Sequence, residues 1–329
     1  MIEISELYKY YGQRRAVGPI SLAIADGEVI GLLGRNGAGK TTTLRILACD
    51  LLASSGTVKV AGYDAVESAD SVRANIGYLP DTPPLYGEMR VREYLGYAAR
   101  LRGVSGKDLE LRLNDVLAQT GLVAVAGDPI ASLSHGFKQR VGIAQAIVHR
   151  PKLVILDEPI SGLDPAQIKE MRGLIRGLAG QHTVIVSSHI LSEISETCDR
   201  IFIIRDGEII ASGSEQELTA EADTGDRLQL TIRPDGDLSD LAALRSLLEA
   251  TDGVSDVVIE ESTSGEWQVK LKTATDRRAL ICQRVVEAGG GLLAIVRIAR
   301  ELESVFLELT DARVGVLSEP GDSGEEASA

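Results

Sequence analysis

The strongest constraint on this chain is Gly34-Arg35-Asn36-Gly37-Ala38-Gly39-Lys40-Thr41, which fits the pattern G-x-x-x-x-G-K-[ST] of a phosphate-binding loop. The pattern needs a strand before it and a helix after it. Val29-Ile30-Gly31-Leu32-Leu33 reads as a short buried strand, and Leu44, Leu47, Ala48 and Leu51 follow at helical spacing. In that setting the glycines let the backbone wrap an anion with its N–H groups, and the helix N-terminus adds roughly +0.5 of an elementary charge. Lys40 is then placed to reach the β- and γ-phosphates of a nucleotide, and the Thr41 hydroxyl to ligate Mg²⁺.

Other apolar runs end in polar residues of the same kind of use. Leu153-Val154-Ile155-Leu156-Asp157-Glu158 reads as a buried strand that delivers two carboxylates to the carboxyl edge of a parallel sheet, the edge where such sheets bind ligands. Asp157 suits a metal held through water, and Glu158 suits a base that orients and deprotonates an attacking water. Thr183–Ser187 is a further buried strand ending in Ser188-His189, and Ile76–Leu79 runs into Pro80-Asp81. Residues 2–8 and 20–25 alternate as in a half-exposed hairpin or meander, with Tyr11 between them able either to stack on a base or to pack on its neighbours. Residues 90–125 change to helical periodicity, an insertion into the α/β pattern. Ser134 is a plausible N-cap for a helix with Phe137, Val141, Ala144 and Val148 on one face, or, with Gly136, a second anion site.

Composition narrows the classes. A net charge of −14 argues against a surface that grips nucleic acid through its phosphates. Cys49, Cys198 and Cys282 are far apart and lack metal-ligand spacing, so reduced thiols of a cytosolic protein are expected. No signal peptide is visible, and the longest apolar runs fall far short of the ~20 residues of a membrane span. If the chain works at a membrane, a partner supplies the spans.

Taken in order, Tyr11, the loop 34–41, Asp81, LSHGF at 133–137, LVILDEP at 153–159, SGLD at 161–164 and His189 resemble the ATP-binding subunit of ATP-binding-cassette (ABC) transporters over residues 1–219. The resemblance implies an α/β P-loop NTPase cassette with a helical subdomain at about 85–150. It implies that Tyr11 stacks on adenine and that Gly34, Arg35, Asn36, Gly37, Ala38, Gly39, Lys40, Thr41 and Thr42 form the Walker A motif around ATP. Asp157 then answers to the Walker B aspartate, Glu158 to the catalytic glutamate and His189 to the switch histidine at the γ-phosphate. Thr41, Asp81 and Asp157 are the expected Mg²⁺ contacts. Ser134 and Gly136 correspond to the signature that meets ATP on the opposite protomer, and Asp164 to the dimer-interface loop. Asp81 stands where the family carries Gln, His135 at one of the signature's glycines and Phe137 at its glutamine. Details of the motifs are most similar to ABC-2-type exporters, including gliding-motility-type ATPases. The implied partners are a polytopic membrane permease and a second cassette, from a homodimer or a related subunit, at the cytoplasmic face of the membrane. A soluble ABC ATPase acting on ribosomes or DNA is the alternative, disfavoured by the single cassette and acidic charge. A nucleotide-binding module without turnover is disfavoured by Lys40, Asp157, Glu158 and His189 all being present.

Past an acidic linker at 214–226, the pattern is strand 227–233, helix 240–250, strand 254–261, strand 266–273, helix 276–288, strand 292–298 and helix 301–310. The order β-α-β-β-α-β predicts a small ferredoxin-like α+β accessory domain at 225–312 without a catalytic constellation, with Trp267 in its core. The tail 313–329 is expected to be disordered.

Overall fold

The computed structural model describes residues 1–297 apart from 222–225, 236–239 and 262–264, together with Glu303, Phe306, Leu307 and Thr310. The expected tail and most of the expected helix 301–310 lie outside the described residues. The chain divides into a unit Met1–Glu215, grouped with the chain from Phe306 on, and a unit Gln216–Val305.

The first unit runs β1 (Ile2–Tyr11), β2 (Arg14–Ile24), β3 (Val29–Leu33), α1 (Lys40–Leu47), β4 (Ser55–Val60), β5 (Tyr63–Asp64), α2 (Ala69–Ala74) and β6 (Ile76–Leu79). It continues with α3 (Val91–Leu101), α4 (Gly106–Gln119), α5 (His135–Ile147), β7 (Leu153–Asp157), α6 (Pro165–Leu178), β8 (Thr183–Ser188), α7 (Leu191–Ser195), β9 (Arg200–Arg205) and β10 (Glu208–Gly213). The unbroken apolar runs become the interior of a six-stranded sheet of order β10-β9-β3-β8-β7-β6. Its neighbours are parallel except β10, which turns back on β9 through Asp206-Gly207, both at positive φ. Every residue of β3, β7 and β8 is buried, as expected of strands covered on both faces. The alternating N-terminal segments form an antiparallel sheet of order β2-β1-β4-β5. Its apolar face, including Ile2, Ile4, Leu7 and Ile20, shares one core with Ile30, Leu44 and Ile155.

The helical stretch 90–125 supplies α3 and α4. Val91, Tyr94, Leu95 and Ala98 of α3 and Leu109, Leu113, Val116 and Leu117 of α4 are buried. Leu101, the last member of the α3 stripe, is exposed because the helix ends there. Val141, Ala144 and Val148 are buried as the α5 periodicity requires, but Phe137 is exposed. It sits in the first turn, ahead of the part of α5 that packs on the sheet. That packing is close: a Cβ on Gly77 of β6 would lie 2.0 Å from the Ala146 carbonyl oxygen.

The second unit begins within α8 (Glu215–Glu221). It continues with β11 (Asp226–Arg233), α9 (Leu241–Glu249), β12 (Val254–Glu261), β13 (Trp267–Thr273), α10 (Arg278–Glu287) and β14 (Gly291–Arg297). The strands form an antiparallel sheet of order β12-β13-β11-β14, the arrangement a β-α-β-β-α-β chain adopts when both connections cross on one face. Leu228, Leu230, Ile232, Val269 and Leu271 pack with Leu244, Leu248, Ile281 and Val285 of the two helices, and Trp267 is buried in this core.

Candidate functional site

Parallel pairing in register places four strand ends side by side. Leu33 pairs with Ser188, Asp157 with Ser187, and Leu79 with Leu156. The residues that follow β3, β6, β7 and β8 therefore emerge at one edge. A cleft of about 870 Å³ opens there, lined in part by Tyr11, Arg35, Asn36, Gly37, Gly39, Lys40, Thr41, Thr42, Asp81, Glu158 and His189.

The loop after β3 requires its glycines. Gly37 and Gly39 have φ of 83° and 106°, and a Cβ on Gly34 would lie 2.5 Å from the Ile204 carbonyl oxygen. Helix α1 starts at Lys40 without a side-chain cap and without an acidic residue in its first turn, so its N-terminal dipole faces the cleft uncompensated. Ala38 is buried beneath the loop. The helix ends at Leu47, with Cys49 at φ 54°, so Leu51 of the expected stripe lies beyond it.

Lys40 is buried, and its ammonium donates to the Gly34 carbonyl at 2.8 Å and lies 3.3 Å from Glu158 Oε1. The other oxygen of Glu158 accepts from His189 Nδ1 at 2.9 Å. That donor role leaves His189 Nε2 as the second ring nitrogen available to a ligand. Glu158 holds φ 49°, a costly conformation for a residue with a side chain, and its N–H donates to Ser187 Oγ at 2.9 Å. The Ser187 hydroxyl in turn donates to Asp157 Oδ1 at 2.5 Å. Ser187 thus positions both carboxylates; the polar run Ser187-Ser188-His189 at a buried strand's end was the sequence signal for it.

Asp157 is wholly buried, and burial pushes its carboxyl above the ordinary range despite the hydrogen bond from Ser187. Its Oδ2 is a buried oxygen with no hydrogen-bond partner. An orphaned carboxylate oxygen beside the Thr41 hydroxyl, with Asp81 in the same cleft, is a donor set that fits Mg²⁺. Among the described residues no cluster of three or more His, Cys, Asp or Glu could hold a metal unaided. A magnesium ion that keeps waters and shares phosphate oxygens needs no such cluster.

Tyr11 ends β1, half exposed, with the Lys9 ammonium 5.3 Å from its ring centroid. Arg14, Arg15, Ala16 and Asp206 also line the cleft, and no motif points to them; Ser161, the first residue of SGLD, lines it as well. Ser134, Gly136 and Asp164 do not line it. Ser134 caps α5 by accepting the Phe137 N–H at 3.4 Å, and Asp164 caps α6 by accepting the Gln167 N–H at 2.9 Å.

The ABC transporter family profile matches residues 17–161. The ABC transporter ATP-binding protein YxlF of Bacillus subtilis is 40% identical over 224 residues, covering 68% of this chain and 74% of that protein. The chain belongs to the ATP-binding proteins of ABC transporters. The linearmycin resistance ATP-binding protein LnrL of B. subtilis is 32% identical over 315 residues, 94% of this chain and 98% of LnrL. Among solved structures, cbiO1 of Clostridium perfringens, part of the ABC transporter complex cbiONQ, superposes with a TM-score of 0.62 at 29% identity, covering 67% of this chain and 90% of cbiO1. The LnrL match extends through both units, whereas the cbiO1 match covers about the length of the cassette. This ABC protein is an ATP-binding subunit and an ATPase. Among its described residues no helix is long and apolar enough to cross a membrane.

Proposed function

We propose that this chain is the ATP-hydrolysing motor of an exporter, docked at the cytoplasmic face of the membrane on a separate polytopic permease. Export is favoured by the end-to-end match to LnrL, whose name ties it to linearmycin resistance. The observation that carries the catalytic reading is the chain Lys40–Glu158–His189 at the adjoining ends of β3, β7 and β8.

In this reading Tyr11 stacks on adenine, while the N–H groups of residues 34–42 and the α1 dipole hold the phosphates. Lys40 exchanges Glu158 for β- and γ-phosphate oxygens. Glu158, steered by its left-handed backbone and by His189, orients the attacking water and takes its proton. Thr41, Asp157 and Asp81 would hold Mg²⁺, which when bound would neutralise charge developing on the phosphate oxygens. His189 Nε2 faces the γ-phosphate.

Ser134 and Gly136 lie outside the chain's own cleft, so the reading gives them to the ATP of a second copy, with Asp164 in the loop between the copies. One cassette then cannot complete a site. Glu158→Gln is expected to accumulate an ATP-bound dimer with little hydrolysis, seen by light scattering and phosphate release. A monomer that hydrolyses ATP at the full rate would overturn the reading.

A further inference from the structure

His135, which stands where the resembled signature carries a glycine, makes a contact that a glycine could not. Its Nε2 lies 3.1 Å from the Ser161 carbonyl oxygen. A carbonyl only accepts, so this ring nitrogen carries a proton and donates. Ser161 lines the ATP cleft, and its own N–H donates to the Glu158 carbonyl at 3.2 Å. One run of hydrogen bonds therefore leads from the backbone of Glu158, through Ser161, to the first turn of α5.

The same turn is held from a second side. A Cβ on Gly136 would lie 2.7 Å from Gln167 Oε1, so the start of α5 sits against the start of α6. Gln167 is itself tied to Asp164. Gly162, at φ 74°, lets the loop 161–164 pass beneath the His135 ring, whose nearest atom would be 3.6 Å from an added Cβ.

We propose that His135 is a positioning residue: through its hydrogen bond to Ser161 it latches the Ser134–Gly136 turn to the loop that hangs from Glu158, so that a chain's own ATP cleft sets the turn it offers to the second copy. The proposal rests on the two-copy reading above. Ser134 and Gly136 flank His135, so holding the ring holds the turn they share; a turn ordered beforehand lowers the entropic cost of closure. A change in the backbone at Glu158 reaches α5 through two hydrogen bonds within one chain.

The test uses the full chain. In the Glu158→Gln background, ATP-driven dimerisation is measured by sedimentation for His135, His135→Leu, His135→Gly and His135→Gln. Loss of one hydrogen bond of ordinary strength is about fivefold, and a symmetric dimer loses two, so the dimer dissociation constant should rise roughly 10- to 30-fold for Leu and Gly. His135→Gln keeps an N–H donor and should recover at least half of that loss on a logarithmic scale. Affinity of dilute, monomeric chain for a fluorescent ATP analogue should stay within about twofold throughout, because His135 does not line the cleft. With Glu158 intact, kcat at fixed chain concentration should fall while KM for ATP holds.

Dimerisation of His135→Leu equal to that of His135 overturns the proposal. So does His135→Gln failing as badly as Leu, since ring shape and not the hydrogen bond would then matter. Failure of the parent Glu158→Gln chain to dimerise at all overturns the two-copy reading, and this inference with it.

Discussion

Lys40 and Glu158 face each other across 3.3 Å at the ends of two strands that are not neighbours in the sheet: β8 lies between β3 and β7. Both are largely buried, and Glu158 accepts from His189 on its other oxygen. The carboxylate is thus fixed at both oxygens, which pre-sets its direction before any water is activated. On the proposed function, phosphate oxygens compete with Glu158 for the same ammonium, so nucleotide entry and release of the carboxylate are expected to be one event.

Glu158→Gln should lower turnover by about 10²- to 10⁴-fold, the range lost with a general base, while ATP binding is retained. Phosphate release measured beside equilibrium binding checks the split.

His189→Ala removes the donor to Glu158 Oε2 without touching Lys40. Turnover should fall by roughly 10²-fold with ATP affinity within about threefold of the parent. Equal losses in both would place His189 in binding rather than in the reaction.

Asp157→Asn should abolish Mg²⁺-dependent turnover, because the orphaned Oδ2 is the buried oxygen left to bind a cation. Asp81→Gln removes only one charge at the cleft's edge and should raise the Mg²⁺ concentration for half-maximal turnover about fivefold. A magnesium titration of each variant decides. Unchanged magnesium dependence and unchanged permease-stimulated turnover in Asp81→Gln would show that this departure from the family has no consequence.

His149 is pushed down to about 4 by burial and by the neighbouring Arg102, and burial lowers His182 as well. Both rings touch carbonyl oxygens, those of Ile76 and Pro151. Between pH 6.5 and about 4 the unfolded chain binds more protons at these positions than the folded one, so stability falls as pH drops through that window. His149 accounts for on the order of 2 kcal/mol after discounting its partial exposure. Urea midpoints at pH 7.5 and 5 should differ less in His149→Gln than in the parent.

Trp267→Ala should destabilise the second unit by about 3–5 kcal/mol, since the ring is buried among Leu and Val side chains. Calorimetry of the variant should show a lowered transition, and turnover by the first unit at 25 °C reports whether the cassette depends on that stability.

Much of the fold was legible because its signals are local. The glycine spacing of 34–39, the apolar runs of β3 and β7, and the order β-α-β-β-α-β after residue 225 each depend on near neighbours along the chain. The start of α5 and the end of α1 show where local reading stops. Phe137 fits the helical stripe yet is exposed, because the stripe meets the sheet only further along the helix. Leu51 fits the α1 stripe yet lies past a turn through Cys49. The sequence places Ser187 at a strand end and Ser161 in a loop, but not the partners that give each its role: Glu158 and Asp157 for Ser187, His135 for Ser161.

The sequence by itself determined which residues sit at strand ends and which loop can wrap a phosphate, since periodicity and glycine placement are properties of short segments. Only the tertiary structure decided that β8 inserts between β3 and β7, that Lys40 and His189 take opposite oxygens of Glu158, and that His135 reaches Ser161. Strand order and register are fixed by burying both faces of the sheet at once, a condition on the whole chain that no single stretch expresses.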